Sequence, residues 1–164
     1  MSMKTQTRRA LVTGGSGDIG GAICRALAAQ DCSVYVHANA NAARAQELAN
    51  ELGARAQTIA FDVTDADATR TALEQILRDG AIDILVHNAG IHDDAPLAGM
   101  TDTQWHRVID VSLHGFFHVA QPLLLPMARG KFGRIVCVSS VAAQLGNRGQ
   151  VNYAAAKSAL HGAV

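Results

Sequence analysis

The chain has 164 residues, of which 49% are hydrophobic and 17% charged, with 14 acidic and 14 basic side chains. That length and balance fit one folded α/β domain with a sizeable core and leave little case for disorder. A formal net charge of zero gives no general attraction to nucleic acid or to an anionic membrane.

The opening MSMKTQTRRA is basic but leads into only a few apolar residues, so it lacks the apolar core of a signal peptide. Residues 10–13 predict a first strand. It breaks into Thr13-Gly14-Gly15-Ser16-Gly17-Asp18-Ile19-Gly20. The helix behind carries Ile19, Ile23, Ala26, Leu27 and Gln30 on one stripe. Residues 33–37 are rich in strand formers. Asn41 caps a helix over residues 42–52, closed by Gly53. Residues 58–61 predict a third strand, ending in Asp62-Val63. Thr64 with Asp67 opens the next helix in the manner of a capping box, and Gly80 closes it. Residues 82–87 predict a fourth strand, ending in Asn88-Ala89-Gly90. A polar loop follows, then Thr101 and Gln104 as a second capping box. The long helix after it sets Trp105, Val108, Ser112, Phe116, Val119 and Leu123 on one face. Residues 134–139 predict a fifth, buried strand leading to Ser140, and an Ala-rich helix carries Tyr153 and Lys157.

Alternating strands and helices predict a parallel sheet covered on both faces. Right-handed crossovers make it a doubly wound, three-layer αβα sheet of the Rossmann type. With no repeat, low-complexity stretch or linker, residues 1–164 read as a single dinucleotide-binding domain. No run reads as long enough to span a bilayer, since the apolar stretch at residues 121–126 is short and bracketed by Pro122 and Pro126. Cys24, Cys32 and Cys137 form no C-x-x-C and sit among apolar residues, which points to reduced, buried thiols in a cytoplasmic protein.

Gly15-Ser16-Gly17-Asp18-Ile19-Gly20 satisfies G-x-G-x-x-G between a strand and a helix, the context a pyrophosphate site needs. The bland alternative is an ordinary glycine-rich turn. Tyr153 and Lys157, four apart, share one helix face. A neighbouring ammonium favours the phenolate, which suits proton exchange near neutral pH. Alone, that pair reads as a surface Tyr-Lys contact; the rest of the chain turns the reading towards a site. His114 and His118 are also four apart, yet spacing places no third metal ligand, so no metal is assigned. Asp93 and Asp94 read as a solvated loop bordering the substrate entrance.

Together, residues 13–20, Asp62-Val63, Asn88-Ala89-Gly90, Ser140 and the Tyr153/Lys157 pair resemble the short-chain dehydrogenase/reductase family. The stretch GNRGQVNYAAAKSAL is most similar to the β-ketoacyl-acyl carrier protein reductases. The resemblance implies strand order 3-2-1-4-5 and a nicotinamide cofactor. It implies that Tyr153 exchanges a proton with the substrate oxygen, that Ser140 orients that oxygen, and that Lys157 holds the nicotinamide ribose. Gly14 and the glycine run, Asn39, Asp62 and Val63 would border the cofactor, and Asn88, Ala89 and Gly90 would support its edge. A small-molecule or acyl-thioester substrate and a homo-oligomer, or association with a related subunit, complete the expectation.

Three features depart from the family pattern. Asp18 stands where a glycine is usual; its carboxylate either repels a pyrophosphate or turns to solvent and favours the helix N-terminus. Ser112 replaces an asparagine of the proton-relay tetrad, and a hydroxyl lacks the amide's combined donors and acceptor. The sequence also ends at Val164, where family members usually continue through further helices and two strands, whose absence would leave one sheet edge open unless a partner covers it. The end of the second strand, residues 37–41, has no acid and Arg44 follows, which leans to NADP(H) over NAD(H). Gly17 in place of the loop's usual arginine makes that lean modest. The leading reading is an NADP(H)-dependent reductase of a 3-oxoacyl thioester. The other is a catalytically weak or inactive dinucleotide-binding subunit that acts by association.

Overall fold

A computed structural model describes residues 7–164; residues 1–6 of the basic opening lie outside the described residues. Five strands and seven α-helices alternate: β1 (Arg9–Thr13), α1 (Asp18–Ala29), β2 (Ser33–Ala38), α2 (Ala42–Leu52), β3 (Ala56–Ala60), α3 (Ala66–Leu77) and β4 (Ile84–His87). There follow α4 (Asp102–Ile109), a π-helical turn (Asp110–His114), α5 (Gly115–Arg129), β5 (Arg134–Cys137), α6 (Ala142–Leu145) and α7 (Val151–Ala163). The strands form one sheet, ordered β3-β2-β1-β4-β5, with every pairing parallel. The Rossmann-type doubly wound order is therefore the expected one.

Alternate residues of each strand face opposite layers. Leu11 and Leu85 turn to a core completed by Leu73 of α3, Leu123 of α5 and Leu160 of α7. Val12, Val34 and Val36 turn to the other, with Cys24 of α1 and Leu48 of α2. The caps at Asn41 and Gly53 and the capping box of Thr101 with Gln104 form as expected.

Several local expectations are corrected. On α1 the buried residues are Gly20, Gly21, Cys24 and Ala28, while Ile19 is 62% exposed. Small residues win that face because the helix lies against backbone: a Cβ on Gly20 would stand 2.2 Å from the Gly14 carbonyl oxygen. The cap of α3 is Asp65, not Thr64. Thr64 spends both its N–H and its hydroxyl on the Asp62 carboxylate, at 2.9 and 2.8 Å, so Asp65 accepts from Asp67 and Ala68 instead. Strand β5 is an edge of the sheet with Val136 half exposed, so it is not the buried strand expected. Cys24 and Cys32 are buried, whereas Cys137 is only partly so. Helix Asp102–Arg129 is continuous through its π turn, and by length and apolar composition it could cross a membrane, contrary to the sequence reading. Its stripe Val108, Phe116, Val119 and Leu123 is buried inside the protein, the placement of a core helix.

Two histidines end their strands inside the core and tie the loops above the sheet. At the end of β4, Thr13 Oγ1 accepts the N–H groups of Asn88 and Ala89, both at 3.0 Å. With its lone pairs so used, its hydrogen goes to His87 Nδ1 at 3.2 Å. His87 therefore carries its proton on Nε2 and donates to the Ser112 carbonyl at 3.0 Å. At the end of β2, His37 Nδ1 accepts the Gly14 N–H at 3.0 Å and Nε2–H donates to the Phe61 carbonyl at 2.9 Å. Burial pushes both rings below the usual histidine range, His87 down to about 4.

Two predictions follow from this packing. Gly20→Ala should lower unfolding stability by about 1–3 kcal/mol, because the clash is with backbone that cannot turn away. Gly162→Ala, with nothing within 4 Å of its Cβ, serves as the control that keeps or slightly raises the urea midpoint. A histidine whose folded pKa is depressed stabilises above the unfolded value and loses that contribution as pH falls towards the folded one. For His87 that window runs from 6.5 down to about 4. Acidifying from about pH 7.5 to about pH 5 should therefore cost roughly 2 kcal/mol through His87, and urea titrations of His87→Asn should show a correspondingly flatter profile.

Candidate active site

The order of the sheet turns at β1 and β4, whose following loops part and leave a crevice at their carboxyl ends, where such sheets take ligands. A groove of about 640 Å³ occupies that place. On one wall stands the glycine loop, with Gly14 at φ 63°, a conformation that favours glycine. Gly14 O accepts from Gly17 N at 3.0 Å and from Asn88 Nδ2 at 3.1 Å, which binds the two loops to each other. Gly14, Ser16, Gly17, Asp18 and Ile19 line the groove, whereas Gly15, which lines the adjoining cleft, and Gly20 lie close against neighbouring backbone.

At the far end, Asn39, Asp62 and Val63 line the groove with His37 and Asn41. Burial raises the Asp62 carboxyl, but hydrogen bonds from Thr64 and Asn39 and the nearby His37 outweigh it and hold it below the usual carboxylate range. Asp18 is 90% exposed and its carboxylate pairs with Arg44 Nη2.

At the near end, Asn88, Ala89, Gly90, Tyr153 and Lys157 line the same groove. Helix α7 presents Tyr153 and Lys157 on one face, with Lys157 Nζ 5.8 Å from the Tyr153 ring centre. Lys157 is buried and donates to the Val138 carbonyl at 2.8 Å. Burial holds its ammonium below the usual lysine range, with the Cys137 thiol opposing. Gly90 leaves room for that ammonium: a Cβ there would lie 3.0 Å from Lys157 Nζ and 3.5 Å from Ser112 Oγ. Ser112 is fully buried, and its hydroxyl is the one buried side-chain polar atom without a hydrogen-bond partner among the described residues.

Ser140 is placed differently from its expectation. Strand β5 stops at Cys137, and Ser139, not Ser140, lines the groove. Ser140 Oγ accepts the Ala142 N–H at 3.2 Å at the start of α6. Ser139 Oγ meets His161 Nε2 at 2.6 Å, two turns beyond Tyr153 on α7.

The start of α7 is fixed by residues that motif reading passed over. Buried Asn152 donates to the carbonyls of Asp93 and Gln104, both at 3.0 Å, and accepts the Tyr153 N–H at 2.8 Å. Asp93 is not a free loop acid: it accepts from Gln104 Nε2 at 3.1 Å and from Arg107 at 3.0 Å. Asp94 accepts from Gln150 at 2.9 Å. The signal for these ties was polarity at helix starts, the only sequence trace of a loop strapped to two helices. His114 bonds Asp110 at 2.8 Å and His118 bonds the Val63 carbonyl at 2.9 Å, so each ring has a partner of its own. No group of three metal-binding side chains occurs among the described residues.

Comparison with known proteins agrees with this layout. The pattern of the family described as short chain dehydrogenase matches residues 8–164. The 3-oxoacyl-acyl-carrier-protein reductase FabG of Aggregatibacter actinomycetemcomitans is 39% identical over 93% of this chain and 65% of its own length. That of Escherichia coli (strain K12) is 38% identical over 98% of this chain and 66% of its own length. An acetoacetyl-CoA reductase of Rhizobium meliloti (strain 1021) is 43% identical over 93% of this chain and 63% of its own length. The chain thus spans just under two thirds of the length of these curated relatives. A family match over residues 8–164, from before the glycine loop through the Tyr153 helix, makes this chain a member of the short-chain dehydrogenase family.

Proposed function

We propose that this chain carries the cofactor-binding and catalytic residues of an NADP(H)-dependent oxidoreductase that reduces a ketone to a secondary alcohol, with a 3-oxoacyl thioester as substrate. One observation supports it above the rest: Tyr153 and Lys157 share a single groove with a glycine loop and with residues 88–90, at the turning point of the sheet. The residues fit a dinucleotide. The glycine loop exposes backbone at the N-terminus of α1, Asp62 and Asn39 offer polar edges at the far end, and the Lys157 ammonium stands buried at the near end. The names of the relatives, which include acyl-carrier-protein and CoA thioester reductases, support the substrate class.

When bound, the nicotinamide supplies the hydride. Tyr153 gives its phenolic proton to the substrate oxygen as that oxygen gains charge. The Lys157 ammonium, 5.8 Å from the phenol ring, stabilises the phenolate left behind and would hold the nicotinamide ribose when the cofactor is bound. Ser140 would give up the bond it accepts from the Ala142 N–H to hold the substrate oxygen, and Ser112, whose hydroxyl adjoins Gly90 as the Lys157 ammonium does, would be the inner member of the proton path. The Asn152 bridge keeps the phenol in register, since it locks the backbone on which Tyr153 stands. We place this enzyme in the cytoplasm as an oligomer, the exposed Phe117, Leu124 and Leu125 of α5 being apolar surface suited to a second subunit.

A second reading rests on Ser112. Its orphaned hydroxyl occupies the position of an amide, and a short proton path favours a weak or inactive dinucleotide-binding subunit that works by association.

Tyr153→Phe should abolish reduction of an acetoacetyl thioester while nucleotide affinity, read by calorimetry, stays within about twofold. Retained turnover in that variant would sink the mechanism. Ser112→Asn should raise kcat about tenfold with little change in KM, as restoration of one general-acid relay group would. An unchanged kcat, low in both forms, would favour the non-catalytic reading.

A further inference from the structure

The corner where the groove meets helix α2 has a charge arrangement that the proposed activity does not explain. This inference rests on the nucleotide-binding reading above. Residues 16–18 form one side of the corner and residues 39–41 the other. Asn39, Ala40 and Asn41 bring no acid to it, and the carboxylates nearby already have partners, Asp18 in Arg44 and Asp62 in Thr64. Arg44, in the first turn of α2, lines the cleft that adjoins this corner and not the groove itself, and its backbone N–H donates to Asn41 Oδ1 at 3.2 Å. The other arginine of the adjoining cleft, Arg25, is committed to Glu51 by two bonds of 2.7 and 2.6 Å.

Arg44 is not idle either. Its Nη2 pairs with Asp18, the first residue of α1, which borders both the groove and the cleft between α1 and α2. The side chains are 51% and 90% exposed, so the pair is weak and Arg44 can turn. A 2′-phosphate carries more charge and more acceptor oxygens than a carboxylate and takes the guanidinium from it. The Asp18 carboxylate then stays at the corner, unpaired and of the same sign as the phosphate. A 2′-hydroxyl disturbs nothing, because the pair persists beside it.

We propose that Asp18 is a specificity-determining residue, an internal anion that competes with the 2′-phosphate for Arg44 and so lowers the preference for NADP(H) over NAD(H). The feature that carries this is the Asp18–Arg44 pair at the one corner where the two cofactors differ. It separates two effects of the same carboxylate. Repulsion of the pyrophosphate would weaken both nucleotides alike, whereas competition for Arg44 weakens only the phosphorylated one.

Calorimetric titration of the full chain with NADP⁺ and with NAD⁺ tests it, in the wild type, Asp18→Asn, Arg44→Gln and the double variant. Asp18→Asn should tighten NADP⁺ by about three- to tenfold and leave NAD⁺ within about twofold. Arg44→Gln should weaken NADP⁺ alone, and in its background Asp18→Asn should bring no gain. Both side chains are exposed, so folding should be intact, and thermal midpoints of all four proteins check it. Equal tightening of both nucleotides would overturn the proposal in favour of the pyrophosphate effect. An unchanged NADP⁺ affinity in Asp18→Asn would overturn it outright. Failure of every protein to bind either nucleotide, with cooperative melts, would overturn the nucleotide-binding reading itself.

Discussion

The hydroxyl of Thr13 holds the groove together, because it joins two loops that follow separate strands. It takes the N–H groups of Asn88 and Ala89 and gives its own hydrogen to His87, which passes the connection to the Ser112 carbonyl in the π turn. The floor of the crevice, the residue 88–90 turn and the helix behind Lys157 are thereby one bonded unit. Thr13, His87, Ala89 and Ser112 are buried, where each bond is stronger and each orphan costs more than in water, and Asn88 is partly so. Replacing the hydroxyl by a methyl group would leave two backbone donors and a histidine nitrogen unmatched at once.

The same economy explains the electrostatics of the near end. His87 and Lys157 are both buried and both held below their ordinary ranges, chiefly by burial, and the Lys157 ammonium further disfavours charge on His87. A neutral His87 leaves Lys157 as the dominant charge behind the phenol. The neighbouring Cys137 thiol, pushed up to about 11, stays protonated and adds no anion. The site thus presents one positive charge in a desolvated wall, beside a groove open to solvent at the glycine loop.

Much of this was written plainly in the chain. Parallel sheet order, the glycine loop between strand and helix, and the caps at Asn41, Gly53 and Thr101 follow from periodicity and local backbone chemistry, which sequence reports directly. What escaped depended on approach distance or on partners far along the chain. Helix α1 buries Gly20, Gly21 and Cys24 because it nestles on backbone, and a search for large apolar residues selects Ile19 instead. His37 and His87 close apolar strands and looked like strand ends, although each is a tautomer fixed by bonds to two other elements. Asp93 looked solvated because Gln104 and Arg107, its partners, lie a helix away. The Tyr153 and Lys157 pair was legible from its spacing of four, but the Asn152 bridge that positions it was not.

The π turn has a consequence for how this chain tolerates changes in length. Val108, Ser112 and Phe116 are buried at two successive spacings of four. In a regular helix eight residues overshoot two full turns by about 80°, which would carry Phe116 off the face that Val108 occupies. The wider turn at Asp110–His114 absorbs that surplus. Loss of one residue there would relax it into ordinary helix and still deliver Val119 and Leu123 to the sheet. Loss of one residue anywhere else along the same helix would rotate the whole downstream stripe by about 100° towards solvent. Segment 110–114 is therefore the one place in this helix where chain length is set by the carbonyl offered to His87 and by the position of Ser112, and not by the packing of the core.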